Sequence, residues 1–258
     1  MQSEMLEIAK ALVLQCGMYL KEDHELSIEE KEGIADLVTN QDRKIEAYLI
    51  ERLSQHYPTH RFLSEESRVE DGEDLWIIDP IDGTTNYITS HRDFAISLAY
   101  YHHHKPVFGI VYDVMREELF VGINGEGAYL NGEKLAKRKP CVLSDCVIDA
   151  SLHTMSSIKT SFSYDCCNLQ SKLRGHRSFG CASLNIVHIA QGILDAYLSC
   201  QVKCWDYAAA MIILQEVGAV AYIQGDFFTA RSTFALFASD EALKTTLWKE
   251  LTKSNDDL

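Results

Sequence analysis

The chain has 258 residues, 47% of them hydrophobic, enough for a sizeable core in one large domain or two packed halves. Its 24 Lys and Arg against 38 Asp and Glu give a net charge of −14 with no basic run, which argues against a nucleic-acid partner. No window reaches the roughly 18 to 20 unbroken apolar residues of a membrane span, and the first twenty residues are polar-interrupted rather than shaped as a signal peptide, so no membrane partner and a cytoplasmic location are expected. The eight cysteines read as free thiols, because a chain of this size needs no disulfide staples. Cys166 and Cys167 are adjacent and read as lacking a second pair at zinc-finger spacing, so no zinc site is expected.

Met5, Ile8, Ala9, Leu12, Cys16, Tyr19 and Leu20 recur at helical period, and Ile45, Tyr48, Leu49 and Leu53 mark one side of a second helix. Both should lie against a sheet. Between them EEKEGIADLVTNQDRKIE, residues 29–46, reads as a charged, glycine-interrupted loop in which Thr39 caps the second helix and Asp42 sits in its first turn. LWII, residues 75–78, reads as a strand ended by Asp79-Pro80, with Asp82 on the turn beyond, because proline cannot donate to a ladder. From Phe94 to Ile123, FAISLAYY, PVFGIVYD and ELFVGIN form an antiparallel meander, which NGEGAYLNGEKL continues with the Asn-Gly pairs of tight hairpins. His102 to His104 fall at a hairpin tip. Lys137 to Leu173 is less readable. RSFGCASLNIVHIAQG then opens a helix on a glycine turn, ILDAYLS is strand-like, and Asp206 stands at the start of a helix stopped by Gly218. A last helix runs from Glu241 to Leu251.

The chemistry begins with Asp79 and Asp82. Two carboxylates forced together at a strand end either share a proton or bind a cation, and a hard ion such as Mg²⁺ takes oxygen ligands, including carbonyls like that of Ile81. Gly83, Thr84 and Thr85 then suit a helix start whose free N–H groups meet an anion. A metal pair beside an anion cradle describes a phosphoester site. Taken singly, each residue fits a blander role: Asp82 a turn, Thr84 or Thr85 a cap, Asp206 a helix start, Glu65 and Glu66 a solvated acidic run. Their combination favours the site.

The spacing D-x-x-D-G-T departs from the D-x-D-G-T of covalent-aspartate phosphatases. Instead D79-P-I-D82-G-T-T-N resembles the signature of the inositol monophosphatase family, and four further stretches resemble it in the same order: Lys31 with DLVTNQD, SEES at 64–67, RSFGCAS and WDYAAA. The resemblance covers about residues 5–250. It implies a layered αβαβα sandwich of the inositol monophosphatase and fructose-1,6-bisphosphatase type, mixing α+β and α/β parts. Residues 1–140 would form an N-terminal half with the DPIDGT motif, and residues 141–258 a C-terminal half with the WD ligand and the substrate pocket. It further implies that Glu65, Asp79 and the Ile81 carbonyl hold one Mg²⁺, that Asp79, Asp82 and Asp206 hold a second, and that Glu65 reaches a third. Thr84, paired with Asp42, would orient the attacking water. Phosphate and substrate would meet Asp82, Gly83, Thr84, Thr85, Gly180, Cys181, Ala182, Ser199 and Asp206, with Lys31 on a lid.

Two positions depart from the inositol-type pattern: Ser199 stands where a glutamate commonly bonds substrate hydroxyls, and Cys181 where Ser or Thr is usual. Phosphatase chemistry is expected to survive both, with specificity altered. Inositol 1-phosphate leads among small phosphorylated metabolites. NADP(H), fructose 1,6-bisphosphate and 3′-phosphoadenosine 5′-phosphate are alternatives, and a non-catalytic binding member is the rival from another class. A homodimer inhibited by Li⁺ is also implied.

Overall fold

Alternation of side chains along the strands sorts the apolar residues into three slabs of core, which fixes the layering of the chain. The computed structural model describes residues 2–22, 24–33, 36–67, 70–225 and 234–253. In chain order its elements are α1 (Gln2–Leu20), β1 (Ile28–Gly33), β2 (Asp36–Thr39), α2 (Asn40–His56), β3 (Arg61–Ser64), β4 (Asp74–Asp82) and α3 (Thr84–Ser90). The meander follows as β5 (Ala95–His102), β6 (Lys105–Asp113), β7 (Glu118–Ile123), β8 (Gly127–Leu130) and β9 (Glu133–Lys134). The rest comprises β10 (Val147–Ala150), α4 (Leu152–Phe162), β11 (Gly175–Arg177), α5 (Ala182–Gln191), β12 (Ala196–Ser199), α6 (Cys204–Glu216), β13 (Val220–Gln224), β14 (Phe234–Ala238) and α7 (Glu241–Leu251).

The first sheet has the order β3-β4-β5-β6-β7-β8-β9, with β3 parallel to β4 and every later pair antiparallel. On β4, Trp76 and Ile78 join the core shared with α1 and α2, whereas Leu75 and Ile77 join the core shared with α5 and α6. The second sheet, ordered β11-β10-β12-β14-β13, repeats the device. Ala235 and Phe237 face α5 and α6, while Phe234, Leu236 and Ala238 face α7. The result is the αβαβα stack expected from the resemblance.

The middle helix α6 lies close enough to the first sheet to require glycine beneath it. A Cβ on Gly109 would stand 2.3 Å from the Ala209 carbonyl oxygen, and one on Gly122 2.7 Å from the Ile213 nitrogen. This approach carries the start of α6, and with it Asp206, over the end of β4.

Two local expectations are corrected. The charged stretch between the first two helices contains an antiparallel hairpin, β1 with β2, in which Ile28, Glu29 and Glu30 pair with Thr39, Val38 and Leu37. Charged residues hide it from a hydrophobic-period reading; its order comes from the backbone ladder and from Arg43, whose two nitrogens lie 2.7 and 2.6 Å from the Glu29 carboxylate. Strand β4 does not end at Asp79-Pro80 either, but runs on to Asp82 through a bulge at which Pro80 and Ile81 oppose the single residue Ile96. A bulge is where a strand tolerates a residue with no N–H.

Candidate active site

The bulge decides where the two aspartates point. In a regular strand, residues three apart face opposite sides of the sheet, so Asp79 and Asp82 would be separated by it. One extra residue restores the same face: Ile78 and Ile81 both enter the α1–α2 core, leaving Asp79 and Asp82 directed toward α5 and α6. Both are buried, at 1% and 8% exposure. Asp79 Oδ1 accepts from the Ile81 nitrogen at 3.1 Å, which closes the bulge.

The surrounding elements hold the carboxylates in place. Asp82 accepts from the backbone nitrogens of Ala182, at 3.2 Å, and Ser183 at the start of α5, and from the Cys181 thiol at 3.1 Å. Asp206, in the first turn of α6, accepts from the Lys203 nitrogen at 2.8 Å. Glu65 follows β3, its side chain 15% exposed, and Lys31 reaches over from β1 to within 3.1 Å of it while also pairing with Glu66. Thr39 and Asp42 form a reciprocal cap on α2, and the Thr84 hydroxyl lies 3.2 Å from Asp42 Oδ1 and 3.0 Å from the Ile81 carbonyl oxygen. Gly83 precedes α3 at φ +88°, with Asp93 and Cys181 each 3.2 Å from where a Cβ would stand, so a side chain there is strained by conformation and tightly confined.

Burial, followed by mutual repulsion with Glu65, Asp82 and Asp206, pushes the Asp79 carboxyl well above the ordinary range. Asp206 is raised in the same way, first by burial and then by Asp82 and Glu65. Asp82 and Glu65 are raised by burial, against the α5 amides in one case and Lys31 in the other. Four buried acids that share one cavity and repel one another are chemically suited to a hard divalent ion, which would relieve the desolvation and the repulsion together, although no three of them have oxygens all within 4.8 Å of one another. Asp42 is pushed up to about 6, chiefly by burial.

Beyond the carboxylates a cavity of about 510 Å³ opens toward β10, β12 and the start of α4. Its far wall carries Ser151, His153, Ser178, Ser199, Gln201 and Lys203. Two buried polar atoms in the lining residues, Asn185 Oδ1 and Trp205 Nε1, have no partner among the described residues. Glu65, Asp79, Ile81, Asp82, Gly83, Thr84, Gly180, Cys181, Ala182, Ser199 and Asp206 all border this cavity. Thr85 does not; it is exposed on α3, one helical step round from Thr84. Asp42 lies behind Thr84, and Lys31 behind Glu65. His102 to His104 form the β5–β6 turn and pair with Asp74, Glu73 and Asp71 at 2.7 to 2.8 Å.

Sequence reasoning passed over Asp149. It is 2% exposed, accepts from the Phe179 nitrogen at 2.8 Å and from Asn185 Nδ2 at 3.1 Å, and so fastens the 178–181 turn to β10. The stretch VIDAS carried the signal, an acid near a strand end followed by a hydroxyl. Asn185, Lys203 and His153 were also missed, each lying in a run that reads as an ordinary helix or loop.

Comparison with known proteins agrees with this arrangement. A model of the Inositol monophosphatase family matches residues 1–255. The chain is 34% identical to the Inositol-1-monophosphatase of Bacillus subtilis (strain 168), over 96% of each chain. It is also 34% identical to Inositol monophosphatase 1 of Bos taurus, over 96% of this chain and 94% of that one. Among solved structures, an IMPase/NADP phosphatase complexed with Mg²⁺ and phosphate superimposes with a TM-score of 0.86 at 25% identity, covering 98% of this chain and 97% of that one. SaIMPase-II bound to inositol monophosphate gives 0.80 at 28%, covering 97% and 93%.

Proposed function

This chain belongs to the inositol monophosphatase family, and on that premise we propose that it is a Mg²⁺-dependent phosphomonoesterase that hydrolyses a small phosphorylated polyol, inositol 1-phosphate first, to the alcohol and inorganic phosphate. The observation that carries the reading is the β4 bulge, which turns Asp79 and Asp82 to one face beside Glu65, Asp206 and the Thr84–Asp42 pair.

Glu65, Asp79 and the Ile81 carbonyl would hold one ion, and Asp79, Asp82 and Asp206 a second. Glu65 would reach a third, giving two or three per site. Such ions neutralise the ester, acidify a water and stabilise the departing oxygen. The residues of the chain do the positioning. Thr84, donating its hydroxyl hydrogen bond to Asp42, turns an oxygen lone pair toward the attacking water and orients it. Asp42, buried and dry, receives that hydrogen bond. The α5 amides and the Cys181 thiol fix Asp82, and the Lys203 nitrogen fixes Asp206, so neither carboxylate must reorganise as charge shifts in the transition state. The amides of Gly83 and Thr84 would face the phosphate, and Lys31, on the β1–β2 hairpin behind Glu65, pairs with that carboxylate and would act as part of a lid. Residues 1–140 would supply Glu65, Asp79 and Asp82, and residues 141–258 would supply Asp206 and the substrate wall.

A second reading has a specific support. The far wall bears Ser199, His153 and Lys203, with no carboxylate of its own among the described residues beyond the engaged Asp149, which suits a leaving group carrying further phosphate. A 2′-phosphorylated nucleotide such as NADP⁺ is that kind of substrate. No described helix is long and apolar enough to cross a membrane. A cytoplasmic homodimer inhibited by Li⁺ completes the proposal.

The test is Mg²⁺-dependent phosphate release from inositol 1-phosphate, NADP⁺, fructose 1,6-bisphosphate and 3′-phosphoadenosine 5′-phosphate side by side, with Asp82→Asn as control. Activity lost in the variant and without Mg²⁺ supports the mechanism, and the preferred substrate decides between the two readings. Silence on all four, with Mg²⁺ bound, would leave a binding protein.

A further inference from the structure

Away from the cleft, the segment between β9 and β10 folds back on itself and brings two thiols together. The backbone nitrogens of Asp145 and Cys146 donate to Val142 and Leu143 at 2.9 and 3.1 Å, a single helical turn that sets Cys141 Sγ 3.7 Å from Cys146 Sγ. A carboxylate oxygen of Asp195, just before β12, lies within 4.8 Å of both sulfurs. We propose that Cys141, Cys146 and Asp195 form a second metal site, for a borderline ion such as Zn²⁺, separate from the catalytic carboxylates.

Geometry, ligand type and surroundings all bear on this. A tetrahedral ion bonded to two sulfurs at about 2.3 Å separates them by about 3.8 Å, so the observed spacing needs little rearrangement. Two thiolates and a carboxylate are ligands that Zn²⁺ takes and Mg²⁺ does not, which distinguishes this site from the oxygen-only cluster around Asp79. The carboxylate is already oriented: Asp195 Oδ2 accepts from the Val147 nitrogen at 3.0 Å and Oδ1 from Arg138 at 3.1 Å, the outer shell expected around a metal ligand. Arg138 also offsets the net negative charge of two thiolates, a carboxylate and a divalent ion. The Cys141 nitrogen is anchored on Asp240 Oδ2 at 2.9 Å. Cys146 is fully buried while Cys141 is partly exposed, so an ion can enter from the Cys141 side and keep a water as fourth ligand. On binding, two S–metal bonds form and two thiol protons leave to solvent.

The site would clasp the connection between the two sheets to the heads of β10 and β12. Its ligands come from a C-x₄-C pair, a zinc-type spacing that the sequence reading passed over, and a distant aspartate, so the expectation of no zinc is revised. A disulfide is the competing fate of the two thiols, but it would need the sulfurs to close to about 2.0 Å and would leave Asp195 no part.

The reduced, chelator-stripped full chain is titrated with Co²⁺ in saturating Mg²⁺, and thiolate-to-cobalt charge-transfer absorption is followed. One equivalent should develop the band. Cys141→Ser should abolish it, whereas Cys181→Ser, which alters the thiol beside Asp82, should leave it intact. Zn²⁺ should displace Co²⁺, raise the Tm of the parent protein, and bind Cys141→Ser with a loss larger than the 10–100-fold typical of an outer-shell partner. Cys141 is partly exposed, and circular dichroism confirms that the serine variant is folded. A folded parent with no band, a band that survives Cys141→Ser, or thiols whose only reaction is oxidation with loss of two hydrogens by mass spectrometry would each overturn the proposal.

Discussion

Thr84 Oγ1 lies 3.2 Å from Asp42 Oδ1 and 3.0 Å from the carbonyl oxygen of Ile81, two acceptors for one hydroxyl proton. Asp42 competes as an anion only when ionised, and burial holds its carboxyl at about 6. Catalysis that needs Thr84 turned toward Asp42 should therefore decline as pH falls through about 6, approaching tenfold per pH unit. Thr84→Ala should lower kcat by about 10²–10⁴ with KM nearly unchanged, and Thr84→Ser should restore most of it. A pH profile flat between 5 and 7 would count against Asp42 in this role.

The metal-free protein should lose stability as pH rises. Asp42 and Asp149 are both held at about 6, chiefly by burial, against about 3.9 in an unfolded chain. Between those values the folded state keeps protons that the unfolded chain has released, so this stabilisation is full below about pH 4 and is lost as pH passes about 6. Each group then costs about 3 kcal/mol. Asp79 and Asp206, raised further, act in the same direction. The rise in Tm on adding Mg²⁺ should accordingly be larger at pH 7.5 than at pH 5, and calorimetry at the two values in chelator and in Mg²⁺ checks this.

Asp79→Asn should separate stability from function. It removes one of four crowded buried charges while keeping a group that can accept the Ile81 N–H bond, so the chelated variant should be more stable than the parent by about 1–2 kcal/mol, roughly 2–8 °C in Tm. Mg²⁺-dependent turnover should fall by at least about 10³. A destabilised variant would mean that the carboxylates do not repel one another as described.

Ser199→Glu should re-aim specificity. Ser199, 2% exposed, ends β12 on the cavity wall, and its hydroxyl accepts from the Gln201 nitrogen at 3.3 Å. A carboxylate there offers an acceptor to polyol hydroxyls and repels additional phosphate. The ratio of kcat/KM for inositol 1-phosphate over NADP⁺ should rise at least about tenfold, which is about 1.4 kcal/mol in the two transition states. An unchanged ratio would show that the leaving group does not reach Ser199.

Gly109→Ala should destabilise without touching the site chemistry directly. The new methyl would stand 2.3 Å from the Ala209 carbonyl oxygen and force α6 outward, at a cost of about 1–3 kcal/mol in chemical denaturation. Because α6 carries Asp206, the half-saturating Mg²⁺ concentration should rise as well.

Much of this was legible in the chain itself. The helical periods of α1 and α2, the Thr39 cap with Asp42 in the first turn, the three-strand meander and the closing helix are local patterns, and local patterns survive in sequence. Of the proposed metal ligands, Asp79 and Asp82 were legible from their place at a strand end before a glycine-hydroxyl turn, whereas Glu65 and Asp206 were named through the resemblance of SEES and WDYAAA to the family. The β1–β2 hairpin was not legible, since its strands are charged and their order comes from backbone pairing and an ion pair across fourteen positions.

The sequence alone determined which groups were available: four acids, a hydroxyl turn, glycines at Gly83 and Gly109, and a serine and a cysteine where the family commonly has others. Only the tertiary structure decided how they face one another. Pro80 was read as a terminator, yet it sits in a bulge, and the bulge turns Asp79 and Asp82 to the same side of the sheet. Asp149 acquired its place only when β10 met the turn at Phe179, and Asp206 met Asp82 only because glycines let α6 lie against β6 and β7. Residue type follows from one position at a time, whereas convergence depends on registers and packing distances that no local pattern encodes.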